Sequence, residues 1–168
     1  ANETRLNEVR NYVINTYGYD PGEFDSTQDE LDGLKLFGKL DFNLNENHRL
    51  TVRHQYTNAE RFNRNGRNSA TIHFSNNGEY FSSTTNSSAV ELKSRLGQNT
   101  SNDLLLGFTT VKDDRDPIGD PFPYVIIEDS TSGFIELGSE RFSSANFLDQ
   151  SVFTLTDNFK IYRGNHTF

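Results

Sequence analysis

Two runs of strict alternation, LKLFGKLDFNL (34–44) and HRLTVRHQYTN (48–58), stand back to back across Asn45-Glu46-Asn47. In the first run Leu34, Leu36, Gly38, Leu40, Phe42 and Leu44 share one parity, and Lys35, Phe37, Lys39, Asp41 and Asn43 share the other. Side chains alternate across a strand with period two, so the spacing predicts a hairpin with one apolar and one charged face. Each run is about eleven residues long, what a tilted strand needs to cross a bilayer. The pattern recurs in AVELKSRLG, where Val90, Leu92 and Leu96 oppose Glu91, Lys93 and Arg95. After a turn at 98–101, Leu104, Leu106, Phe108 and Thr110 form the apolar side of NDLLLGFTTVK. A last run over 151–162 puts Phe153, Leu155, Phe159 and Ile161 on one face before Arg163-Gly164-Asn165 turns the chain.

Strands are therefore predicted near 34–44, 48–58, 89–97, 102–112 and 151–162, with long connections at 59–88 and 113–150. Short turns alternate with long loops, the asymmetry of outer-membrane barrels, whose short turns face the periplasm and long loops the outside. Leu6, Val9, Tyr12, Val13 and Tyr17 recur at helical spacing and predict a short amphipathic helix within 4–17. Pro21-Gly22, Asn65-Gly66 and Asn77-Gly78 are turn signals, and the last, between TIHFSN and EYFSST, predicts a tight hairpin tip. The fold class expected is all-β: an antiparallel up-and-down transmembrane β-barrel segment of about five strands. Residues 34–168 are expected to form the barrel portion, and residues 1–33, ahead of it, to carry the helix and an acidic connection. The pattern also allows a soluble β-sandwich, a surface module binding glycan or protein through the same loops.

Composition sharpens this picture. The 168 residues include no Met, Cys or Trp, and hydrophobic content is 33%. Mean hydropathy is −0.73, low for a self-sufficient globular domain. Yet 14 Phe and 7 Tyr are more than a disordered chain carries. Pairing with further strands reconciles the two. Ala1 is not a start residue and His166-Thr167-Phe168 stops in mid-pattern, so a piece of a larger protein is expected. No apolar run approaches the roughly 18 residues of a membrane helix. The net charge of −8 is uneven: Asp20, Glu23, Asp25, Asp29, Glu30 and Asp32 crowd one connection. Asp113, Asp114, Asp116, Asp120, Glu128 and Asp129 crowd another, while Lys35, Lys39, Arg49, Arg53, Lys93, Arg95 and Lys160 lie on strands. Without a basic stripe, nucleic acid is not an expected partner.

The candidate functional residues follow from the two faces. Lys39, Asp41, Arg53, Glu91, Lys93 and Arg95 are expected to face a watery lumen, with Asp41 opposite Arg53. They solvate the interior and pair with a plug, or they line a polar path for substrate. Leu36, Leu40, Phe42, Leu92, Leu106 and Phe108 are expected to face lipid. His54 and Asp157 share the apolar parity and interrupt it, which calls for a bulge, a taller rim or a neighbouring protein. Phe42, Tyr56, Phe108, Phe159 and Tyr162 lie near strand ends, where interfacial aromatic girdles form. Tyr80, Phe81, Phe122 and Tyr124 in the long loops contact a ligand or partner, or pack among the loops. Asp113, Asp114 and Asp116 are a weak Ca²⁺ candidate, lacking the D-x-[DN]-x-[DN]-G frame. His48 and His54 are six residues apart on a strand, about 20 Å, too far to share an ion. No nucleophile–base set, phosphate loop, HExxH helix or other cofactor motif is present, so neither catalysis nor a cofactor is expected.

At GKLDFNLNENHRLTVRHQYTNAERFNRN (38–65) the chain resembles TonB-dependent outer-membrane receptors of the Oar-like type, which carry a carboxypeptidase-regulatory-like domain ahead of plug and barrel. DRDPIGDPFPYVIIED (114–129), GSERFSSANFLDQ (138–150), FTLTDNFKIYRGNHTF (153–168) and TRLNEVRNYVINTYGYDPGEF (4–24) are similar to the same family. The resemblance implies a barrel of about twenty-two strands around a plug, with residues 1–33 as an extracellular loop. It implies ligand uptake across the outer membrane of a Gram-negative bacterium, driven by an inner-membrane TonB energy complex. The partners so implied are outer-membrane lipid, the remaining strands and plug, the TonB system through parts outside this chain, and a surface lid or other protein at the loops. No plug or TonB-contacting box is recognisable in these residues.

Overall fold

A computed structural model describes residues 2–25, 30–64, 70–129, 133–142 and 146–168; Asp29 and the Asn65-Gly66 turn signal lie outside the described residues. The chain is mostly strand, with one helix among the described residues. Strands β1 (Leu31–Asn43), β2 (His48–Arg64), β4 (Gly78–Arg95), β5 (Thr100–Pro117), β8 (Asn146–Arg163) and β9 (His166–Thr167) form one antiparallel sheet, ordered β1-β2-β4-β5-β8-β9. The short turns arise where expected. Leu44 N donates to His48 O at 2.9 Å and Leu96 N to Thr100 O at 2.8 Å. Gly164 takes φ 61°, a left-handed value that glycine adopts without a Cβ penalty, and opens the last hairpin. All five predicted strands are present, but β2 reaches 17 residues and β4, β5 and β8 reach 18.

By internal contacts the chain divides into two compact units. The strand unit comprises Gly33–Asn58, Ser83–Lys112 and Leu148–Phe168, the turn-proximal parts of the long strands. Every residue of β1 and β8 is exposed, on both faces. The cross-strand bonds His48 Nδ1–Ser94 Oγ (2.9 Å), His54 Nδ1–Ser88 Oγ (2.8 Å) and Asn58 Nδ2–Thr84 Oγ1 (3.1 Å) keep step: six residues forward along β2 match six back along β4, then four match four. The register is unbroken across this stretch. His54 therefore stays on the apolar parity, without a bulge to turn it away.

The helical unit comprises Ala1–Asp32, Ala59–Ser82 and Asp113–Phe147. Helix α1 (Glu3–Tyr17) begins where the Asn2 side-chain oxygen accepts from Arg5 N at 2.9 Å. It ends at Gly18, whose φ of 69° supplies the left-handed C-cap and whose N–H reaches Ile14 O at 2.9 Å. Leu6, Val9 and Val13 are the buried stripe, whereas Tyr12 and Tyr17, predicted to share it, are each 61% exposed. The stripe packs with Tyr19 and Phe74 against Ile135 and Leu137. Those last two belong to a three-stranded sheet of β3 (Thr71–His73), β7 (Gly133–Leu137) and β6 (Val125–Asp129), in the order β3-β7-β6. β3 runs parallel to β7 with Ile72 opposite Ile135, and β6 runs antiparallel with Ile127 opposite Ile135. Burying each such side chain contributes about 1.5–3 kcal/mol.

This second sheet corrects one expectation. Asn77-Gly78 is not a hairpin tip, because β3 pairs with β7 while β4 joins the large sheet. Asn77 is fully buried instead, donating Nδ2 to Gly138 O at 3.1 Å while its N–H caps Phe74 O at 2.9 Å. No described helix is long and apolar enough to cross a membrane, which says nothing of crossing by strands.

Candidate functional site

The charged parity of the strand unit is a linked polar surface. Asp41 accepts from Thr51 Oγ1 at 2.6 Å and lies 3.0 Å from Lys39 Nζ and 3.3 Å from Arg49 Nη2. The Leu44–His48 closure sets this register, placing Thr51 opposite Asp41 and moving Arg53 two residues on, opposite Lys39. The expected Asp41–Arg53 pairing is thereby corrected. Arg53 lines a hollow of about 330 Å³ floored by Ser87, Ala89, Gly107 and Thr109. A Cβ on Gly107 would come within 3.3 Å of Thr154 Cβ, so the small residue permits close strand approach. Glu91 pairs with Lys93 at 3.2 Å along the same parity. Lys93, Arg95, Arg49 and Lys160 gather with Asp103 around a basin of about 400 Å³ at the turn end. This unit holds 9 basic against 6 acidic residues, hence +3.

The other parity is apolar and uncovered. Leu36, Leu40, Phe42, Leu106 and Phe108 are exposed, and Leu92 is half-buried. The apolar residues reach from the short turns to Leu34 on β1, Val90 on β4, Phe108 on β5 and Phe153 on β8. About ten residues at roughly 3.3 Å each make the band about 33 Å long, measured along the strands. Polar residues on this parity are not isolated. Asp157 Oδ1 accepts from Asn102 Nδ2 at 2.8 Å, and His54 and His48 are bonded to Ser88 and Ser94. A polar group in an apolar setting costs far less when its hydrogen bond is made across the strands. Tyr162, expected in an aromatic girdle, sits instead on the charged parity, its hydroxyl 3.2 Å from Ser101 Oγ.

The helical unit holds a groove that the strand pattern gave no hint of. About 730 Å³ lies along α1, walled by Val9, Val13, Tyr12 and Tyr17 on the helix and by Phe122, Val125, Ile127 and Leu137 opposite. Phe122 stacks on Tyr19 at 4.1 Å and meets Tyr17 edge-on at 6.0 Å, and Tyr17 meets Tyr12 at 6.2 Å. Burial pushes the Tyr19 phenol up to about 12, helped by the charges of Asp20 and Asp120. The guanidinium of Arg10 clamps Asp20 with two bonds, at 3.1 and 3.0 Å, and reaches Glu23 at 3.0 Å. That bond holds the Asp20 carboxyl below its usual range, with a second contribution from the Gly22 N–H. The signal in the sequence was the helical stripe at 6, 9 and 13 followed by the apolar run Tyr124–Ile127, read there as loop.

The four loop aromatics do not converge. Phe122 lines the groove; Tyr124 lies under Arg141 at 5.1 Å, its hydroxyl pushed up to about 12 by burial and by bonding to Glu136. Tyr80 packs on Phe62 at 5.1 Å, and Phe81 lies under Arg115 at 5.2 Å. Glu136 also meets His73 Nδ1 at 3.2 Å, as does Asn77 Oδ1. Asp113, Asp114 and Asp116 alternate along β5, so Asp113 points away from the other two, and Asp114 Oδ1 accepts from Arg115 N at 3.0 Å. Among the described residues no three His, Asp or Glu side chains come together as a metal site. No protein-family model matches this chain, and neither does any curated protein or solved structure.

Proposed function

We propose that the strand unit is part of the wall of an outer-membrane β-barrel, in a TonB-dependent receptor of the Oar-like type that takes up a ligand. One observation carries the reading. Leu36, Leu40 and Phe108 stand 56%, 62% and 50% exposed on one parity, while the opposite parity is knitted by ion pairs. In water such an apolar band is a large liability, and in a bilayer it is the required surface. Its length of about 33 Å along the strands is enough to give a barrel's outer band of about 25 Å at a barrel's strand tilt of about 40°. The sheet's open edges support the reading too: β1 is a 13-residue edge strand with an unpaired side, which further barrel strands would close. On this reading the helical unit stands outside the cell, lipid and the remaining strands and plug are the immediate partners, and uptake draws on TonB. The role is binding and passage, without a catalytic step.

The competing reading is a soluble β-sandwich module that binds glycan or protein. It requires a second sheet over the apolar parity, yet β3, β6 and β7 place Ile135 and Leu137 in a core of their own. Sedimentation with and without nonionic detergent separates the two. A folded species that needs detergent and carries a bound belt of it fits the barrel wall, and a folded monomer in buffer alone overturns it.

A further inference from the structure

The helical unit carries 18 acidic against 7 basic residues, hence −11, opposite in sign to the +3 of the strand unit. Its cations are largely engaged: Arg5 with Glu8, Arg10 with Asp20 and Glu23, Arg115 over Phe81, and Arg141 over Tyr124 and Phe142. A strongly negative field therefore surrounds an apolar groove whose mouth presents two tyrosine rings, each 61% exposed. We propose that the groove along α1 binds a short basic peptide that presents a bulky apolar side chain.

Three features select that ligand. A volume of about 730 Å³ is the size of a site for a ligand of a few residues. The walls, mainly Val9, Val13, Phe122 and Leu137, offer few hydrogen bonds, and their charged part is Arg5 and Glu8, paired with each other at 3.3 Å, so an apolar side chain is the part that seats. The π-faces of Tyr12 and Tyr17 attract a cation at the mouth, and the unit's net charge raises the local concentration of cations over anions. The field reaches the wall itself, since Asp20 and Asp120 both act on Tyr19, which stacks on Phe122. A glycan would find too few polar partners, and an acidic peptide would be repelled.

The whole chain in nonionic detergent is titrated against Phe-Arg-β-naphthylamide, read by naphthyl fluorescence anisotropy. The expected result is saturable binding that weakens as salt is raised, with Phe-Glu-β-naphthylamide about tenfold weaker. Argininamide, which lacks the apolar body, does not displace the probe. Tyr12→Ala and Tyr17→Ala, at exposed positions that leave the core intact, each weaken binding about threefold. Uptake by micelles alone is insensitive to both substitutions. Equal affinity for the two naphthylamides, indifference to both substitutions, or no saturable binding overturns the proposal. Any of these leaves the membrane reading standing, because detergent dependence tests that separately.

Discussion

Leu40→Arg, set beside Phe37→Arg, separates a membrane environment from an aqueous one. Leu40 and Phe37 lie three residues apart on β1, on opposite parities, and are nearly equally exposed, at 62% and 66%. In water a charged side chain at either site costs little, within about 0.5 kcal/mol, as at most exposed positions. In a bilayer the two diverge. Leu40 lies between Leu34 and Leu44 near the middle of the apolar band, where arginine costs about 2–4 kcal/mol. That is a loss of about thirty- to several-hundredfold in the folded population. Phe37 shares its parity with Lys39 and Asp41, so arginine there joins an already charged surface. The assay is the yield of folded, heat-modifiable protein in the outer-membrane fraction, with denaturant midpoints in lipid vesicles. Collapse of Leu40→Arg alone is expected. Equal behaviour of the two variants would refute the assignment of faces.

Three further outcomes follow from particular contacts. Removing Asn102 by Asn102→Leu leaves Asp157 without its partner on the apolar parity and destabilises the fold, and adding Asp157→Leu restores it; a double-mutant cycle in denaturant checks the coupling. The phenol of Tyr19, only 6% exposed, titrates at about 12 when folded against 10.0 unperturbed. Because the folded value is the higher one, stability is complete below pH 10 and on the order of 3 kcal/mol is lost as pH rises through about 12. Tyrosinate absorbance followed alongside circular dichroism reads this, and ionisation of Tyr19 with the other tyrosines, without unfolding, would count against its burial. Gly138 has φ 90° and a Cβ there would collide with the Pro123 carbonyl oxygen, so Gly138→Ala loosens the helical unit; faster limited proteolysis around 123–138 checks it.

How legible the fold was from sequence depended on where two-sided chemistry existed. Within the apolar band, parity alone located five strands and three turns, because one residue of slip would invert every side chain. Beyond the band, at Ser82–Ser88 and Asn58–Glu60, neither face carries a large apolar residue; no periodicity marks these strand ends, and the loops looked longer than they are. Asp41 and Arg53 were matched one pair out of register, since pairing depends on which residues close the turn, here Leu44 and His48. The partners of His54 and Asp157 lie on strands reached through separate connections, so no local spacing reveals them. The helix was legible from its stripe and from Gly18, but its groove was not. Strands β6 and β7 are five residues each, and the parallel β3–β7 pairing joins segments more than sixty residues apart. The Asn77-Gly78 signal misled for the same reason: a buried Asn bonding to Gly138 has the same letters as an exposed turn.

The absence of cysteine makes any introduced one unique, so site-specific labelling tests the membrane claim most directly. Single cysteines at Leu36, Leu106 and Leu155, and at Leu105, Phe37 and Thr154 on the other parity, carry an environment-sensitive fluorophore in protein reconstituted into lipid. Brominated acyl chains should quench the first three and spare the second three, with aqueous iodide doing the reverse. Quenching of both sets by iodide alone, with acyl bromine without effect on either, would mean that the apolar stripe never meets lipid.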